Sequence, residues 1–225
     1  FHHIVDVCRQ GQGSHFEVLT ASGWALLVEV VQVGKKSAQA RVLEKRRLPD
    51  LPKPWIHLAL SLPKISTYEA VLEKSVELGV YQVHPFFSDY SFIKTQKNIL
   101  ETKASRFDKI IQSATQQSGR GDWMKVAPAC DFSTLLQKFR EDKEAQGIFA
   151  YEGKGEQSLS EALQKSPNIQ NLWIFVGSEG GFSQQEVEIF KKMNLFPVSL
   201  GQQVLRVETA CVTLLGIIKY KLNLF

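Results

Sequence analysis

The chain has 225 residues, 44% of them hydrophobic, and a formal net charge of +4, enough to bury one sizeable core, or one core and a small satellite domain. Its three cysteines, Cys8, Cys130 and Cys211, are odd in number and far apart, which excludes a disulfide framework and a CxxC metal site and points to a reducing, cytoplasmic compartment. The five histidines show no zinc spacing, and the longest strongly apolar run, Val212 to Ile218, is too short to span a bilayer.

The chain opens on Phe1 and not on Met, so residues are expected to precede it. His15 to Ala21, Trp24 to Val33 and Ser37 to Lys45 are Val- and Leu-rich stretches separated by SGW and GKKS turns, as short strands of a small β-domain would be. "LPDLPKP", Leu48 to Pro54, holds three prolines in seven residues and reads as a linker. A domain boundary is therefore expected after Lys53, giving domains 1–53 and 54–225. The first carries 8 Lys+Arg against 5 Asp+Glu, the second 19 against 18. The basic excess sits in the small domain, as a solvated strand end or as a nucleic-acid footprint.

Beyond Trp55 strand and helix alternate. "WIHLALSL" is a buried strand, and "STYEAVLEKSVELG" an amphipathic helix with a capping box expected at Ser66 and Glu69. "VYQVHPFF" is the next strand, and a long helix is expected from about Asn98 to Gly119. "KVAPACD", "GIFAYE", "LWIFVG" and "FPVSLG" are further strands, with two more S-x-x-E helix starts at Ser158 and Ser183. The alternation predicts an α/β domain with a largely parallel sheet and its ligand at the carboxyl ends of the strands.

Two strand ends carry the chemistry. Gly177-Ser178-Glu179-Gly180-Gly181 follows one strand, and "LGQQVLRVETA", Leu200 to Ala210, follows the next. Glycine turns leading into helices commonly cradle phosphates, but there is neither GxGxxG nor GxxxxGK[ST] here, and the carboxylate of Glu179 would repel an anion. A phosphate-free ligand with a positive centre fits better. S-adenosylmethionine is such a ligand, and another nucleoside ligand stays open at this point.

"VGSEGGFSQQEVE" and "LGQQVLRVETA" closely resemble the two C-terminal signature motifs of the bacterial 16S rRNA uridine-N3 methyltransferases, in the SPOUT superfamily. "HHIVDVCRQGQG", "YEAVLEKSVELGV" and "RFDKIIQSATQQSGR" extend the resemblance over nearly the whole chain. It implies an α/β SPOUT-type parallel sheet ending in a deep trefoil knot, preceded by a small PUA-like β-barrel that binds RNA through Arg9, Arg41, Arg46 and Arg47. It also implies a homodimer acting on 16S rRNA in the small ribosomal subunit, with no metal and no membrane. S-adenosylmethionine would be held by Val176, Gly177, Glu179, Gly180, Gly181, Leu200, Gly201, Val204, Leu205, Arg206, Thr209 and Ala210, with Arg206 and Arg120 as the catalytic residues. Glu208 and Thr209 open the last helix and read equally well as caps. The sequence departs from the family at Ser178, where proline is usual, at Gln116, where glutamate is common, and at Tyr90, near a frequent arginine. A superfamily member acting on another base in tRNA or large-subunit rRNA, and a non-catalytic RNA-binding assembly factor, are the rival readings.

Overall fold

The computed structural model describes residues 4–5, 8–20, 22–94, 97–153, 159–164 and 169–224. The chain divides into two compact units, Phe1–Asp50 with Thr115–Trp123, and Leu51–Ala114 with Met124–Phe225.

In the first unit β1 (His15–Leu19), β2 (Trp24–Val33) and β3 (Ala38–Arg47) form an antiparallel three-stranded sheet in the order β1-β2-β3. Val28 and Val30 of β2 are buried, whereas β3 is exposed along its whole length. A strand that packs no core face can carry charge at successive positions, and Glu44, Lys45, Arg46 and Arg47 do so here.

The second unit is built on a parallel sheet of seven strands. These are β4 (Trp55–Ser61), β5 (Gln82–Phe87), β6 (Lys125–Val126), β7 (Cys130–Asp131), β8 (Ala145–Ala150), β9 (Asn171–Val176) and β10 (Phe196–Val198). Six run in the order β10-β8-β9-β4-β5-β6, and β7 also pairs with β5. Both faces are covered, so the strands read as near-continuous apolar runs. Leu58, Leu60 and Ile174 face one cluster, into which α1 (Ile65–Glu77) and α7 (Val207–Lys221) send Leu72, Leu214 and Ile218. Ala59, Phe86, Phe149, Trp173 and Phe175 face the other, with Leu135 and Leu136 of α4 (Phe132–Glu141) and Phe190 of α6 (Gln184–Lys192). The expected long helix is broken at Lys103 into α2 (Lys97–Thr102) and α3 (Ala104–Ser118), and Gly119 takes a positive φ of 70° just beyond it.

Two of the three S-x-x-E helix starts, at Ser66 and Ser183, lie among the described residues. Ser183 and Glu186 do form a reciprocal capping box on α6. The box expected at Ser66 and Glu69 is absent, because α1 begins earlier, with Lys64 at its N-cap. Glu69 instead takes both ends of the Arg106 guanidinium. The Ser158 start lies outside the described residues, next to α5 (Leu159–Gln164).

On the aromatic face of the sheet, His57 Nδ1 and His84 Nε2 lie 3.0 Å apart, and both rings stack on Trp173. The Trp173 indole and the Asn171 amide donate to Asp142. Burial pushes His84 from its ordinary 6.5 down to about 3, with His57 and Lys138 adding to the effect. Burial also lowers His57, against the opposing pull of Asp142. The unfolded chain binds protons here below about pH 6.5 that the folded chain refuses. This contribution to stability is therefore complete above that pH and declines as the pH falls toward the folded value. Each pH unit in that window costs about 1.4 kcal/mol for one such group. Urea unfolding at pH 7 and pH 5 tests this: the wild type loses stability over the interval, and His84→Gln loses less.

Candidate functional site

Strands β8, β9 and β10 are parallel neighbours, so their carboxyl ends open on one edge of the sheet. A concave cleft lies there, about 560 Å³ of space that includes open solvent, and small-molecule and cofactor sites are concave in this way. Ala150, Tyr151 and Glu152 follow or end β8, and Val176, Gly177, Ser178 and Gly181 come from the end of β9. Val198, Ser199, Leu200, Gly201, Gln203, Val204, Leu205, Val207 and Ala210 complete the lining from β10 and the start of α7.

The glycines are explained by close approach. A Cβ on Gly177 would lie 2.8 Å from the backbone of Gly181, so the loop can fold back on itself only where there is no side chain. Gly181 holds a φ of 67°, bridges to Ser178 and donates its N–H to the Ser178 carbonyl at 2.9 Å. A Cβ on Gly180 would meet Tyr90 Cβ at 2.9 Å. The Ser178 hydroxyl donates to the Tyr90 carbonyl. The two departures at Ser178 and Tyr90 are thus in contact: the serine ties down by a hydrogen bond a turn that a proline would stiffen covalently. Gly201, with a φ of 117°, begins the third wall.

Eight expected cofactor residues meet around this cavity: Val176, Gly177, Gly181, Leu200, Gly201, Val204, Leu205 and Ala210. Glu179, Gly180, Arg206 and Thr209 are not among its lining residues. Glu179 is turned away, its carboxylate accepting the Lys64 backbone N–H at 3.1 Å. It supplies a negative charge at the start of α1, whose own first turn holds no acid. The negative charge of the cavity comes from Glu152, which the loop motifs did not single out. The signal available was positional: Glu152 stands two residues past the end of β8, where a parallel sheet puts its ligand groups. No Lys, Arg or His lines the cavity among the described residues. Apolar walls, glycines at contact distance and one carboxylate suit an uncharged or cationic nucleoside-sized ligand and disfavour a phosphate.

Arg206 is the N-cap of α7, exposed, and flanked by the lining residues Leu205 and Val207. Among the described residues it makes no ion pair with Glu208 or Glu179. Arg120, expected as a catalytic residue, is buried, and its guanidinium grips both carboxylate oxygens of Asp122 at 2.8 Å. In the first unit, Arg41 pairs with Glu29 across β2 and β3, and Arg46 forks onto Glu17. Arg47 donates to the Ser22 carbonyl and lies over Trp24, while Arg9 is exposed with a φ of 53°.

The RNA methyltransferase domain family matches residues 49–219. Over 99% of its length the chain is 29% identical to the ribosomal RNA small subunit methyltransferase E of Bacillus subtilis, covering 88% of that protein. It is 30% identical to the Helicobacter pylori protein of the same description, over 84% of this chain and 77% of that one. A methyltransferase from Legionella pneumophila, solved with bound S-adenosylmethionine, matches with a TM-score of 0.84 at 26% identity, over 97% of this chain and 88% of that one.

Two substitutions separate the roles of the loop. Glu179→Ala removes a helix-start partner and lowers stability by about 1 kcal/mol in urea unfolding. Gly177→Ala forces the Gly181 backbone away and costs about 1–3 kcal/mol.

Proposed function

The chain belongs to the RNA methyltransferase family, and on that premise we propose that it methylates N3 of a specific uridine in the 16S rRNA of the small ribosomal subunit, using S-adenosylmethionine. The observation that carries the reading is the phosphate-averse cavity at the ends of β8, β9 and β10, lined by residues of both signature motifs. S-adenosylmethionine supplies an electrophilic methyl group on a sulfonium. Gly177, Gly181 and Gly201 would let backbone groups come close to its nucleoside portion, with Val176, Leu200, Leu205 and Ala210 as apolar walls.

The uridine N3–H is a weak acid, and the nucleophile is its anion, with charge shared onto O2 and O4. Catalysis needs a donor that stabilises this anion and a geometry that excludes other approaches. Arg206 is proposed for that part. Its guanidinium is exposed, unengaged with Glu208 or Glu179, and placed between two cavity residues, and a planar guanidinium can pair with a uracil carbonyl. The N3 proton then leaves to water. Arg120 gives the proposal no such support, since its donors already face Asp122.

The proposal extends to the two domains, 1–53 and 54–225. The small domain, read as PUA-like, holds RNA mainly through phosphates. Arg41 and Arg46 are in exposed ion pairs on an open strand, interactions weak enough in water to be exchanged for phosphate oxygens. A C-terminal knot is supported by the return of β10 to the far side of β8, followed by α7 packing on α1. A homodimer is supported by Val212, Ile217 and Tyr220, apolar and exposed on α7. A ribosomal RNA substrate supports a cytoplasmic protein.

Labelled S-adenosylmethionine and small subunits from cells lacking the protein test the reading. Label is expected in small-subunit rRNA as 3-methyluridine, and absence of transfer, or another modified nucleoside, would contradict it. Arg206→Ala should slow transfer by about 100-fold or more while changing cofactor affinity by less than about threefold. Unchanged turnover would sink the role of Arg206.

A further inference from the structure

Among the described residues, one acidic side chain lines the cavity. Glu152 stands at its mouth, exposed, with Oε1 3.6 Å from the point where a Cβ on Gly181 would sit. The carboxylate therefore reaches from the end of β8 across to the loop after β9. No basic group answers it among the residues lining the cavity, and Glu179 is engaged at the start of α1. A carboxylate at the edge of a partly enclosed site acts over a few ångströms with less screening than in bulk water. It favours whichever ligand carries positive charge.

We propose that Glu152 is a specificity residue that reads the charge of the cofactor, holding S-adenosylmethionine in preference to the spent S-adenosylhomocysteine. This rests on the reading of the cavity as an S-adenosylmethionine site. Cofactor and product share the adenine, the ribose, the ammonium and the carboxylate. They differ by the methyl group and by the sulfonium charge, because transfer of the methyl to the RNA leaves a neutral thioether. Apolar walls and glycines contact the common parts and cannot tell the two apart. A fixed negative charge can, and it would relieve product inhibition by weakening the hold on the uncharged product relative to the charged cofactor.

Binding calorimetry on this chain without RNA tests this, with three ligands: S-adenosylmethionine, S-adenosylhomocysteine and sinefungin, which carries an amine in place of the sulfonium. The variant is Glu152→Gln, which keeps size and hydrogen-bonding capacity and removes the charge; an unchanged thermal midpoint checks its fold. The expected result is a loss of about tenfold in affinity for S-adenosylmethionine and sinefungin, with S-adenosylhomocysteine changed by less than about twofold. An equal loss for all three ligands would place Glu152 on the ribose or the amino-acid moiety and overturn the proposal. No loss for any of them would overturn it too. Failure of the wild-type chain to bind any of the three would overturn this proposal together with the cofactor reading, whereas binding with the wrong pattern would overturn this proposal alone.

Discussion

The site depends on one contact between backbones. Gly177 and Gly181 approach so closely that a Cβ on the first would lie 2.8 Å from the second, and this near-touch folds the end of β9 back on itself. The fold keeps the loop out of the cavity and lets β8 and β10, the other two strands of that edge, contribute their own ends. Ser178 then ties the loop to the carbonyl of Tyr90, and the helix beyond it starts from a closed box of Ser183 and Glu186, with Asp89 joining through its backbone N–H and its carboxylate. Backbone approach, a tether and a capped helix start fix the loop before any ligand arrives, which lowers the ordering cost of binding.

The electrostatics follow from where carboxylates are free to point. Glu179 and Glu152 both stand near this edge of the sheet. One of them, Glu179, has a backbone donor at the start of α1 to satisfy. The other, Glu152, faces the cavity. A carboxylate beside the ligand disfavours phosphate, and the one lining the cavity is Glu152, while Glu179 orients the backbone at Lys64. The sign of the cavity is negative, and the absence of Lys, Arg and His from its lining keeps it so among the described residues.

Much of the large unit was legible in the sequence because its signals are local and strong. Apolar runs such as "LWIFV" end in glycine, and a strand buried on both faces of a parallel sheet has to read that way. Eight of the twelve expected cofactor residues meet at one cavity for the same reason: in a parallel sheet, the residues just after neighbouring strands share an edge. What failed was information that sequence spacing does not carry. The Ser66 box failed because the partner at the start of α1 comes from a loop 115 residues away. Glu69 was instead claimed by Arg106, from another helix. The buried fork between Arg120 and Asp122 was not legible either, because burial of the pair is set by the fold and not by their spacing. In the small unit the described residues give three antiparallel strands, and the wholly exposed β3 has no periodic pattern from which a buried face could have been inferred.

The central claim is that the ends of β8, β9 and β10 form the S-adenosylmethionine site. The most direct measurement is a crystal structure of this chain with S-adenosylhomocysteine. The account predicts the ligand in this cavity, its nucleoside against Gly177, Gly201 and Leu205. Ligand bound elsewhere on the chain, with this cavity empty, would contradict it.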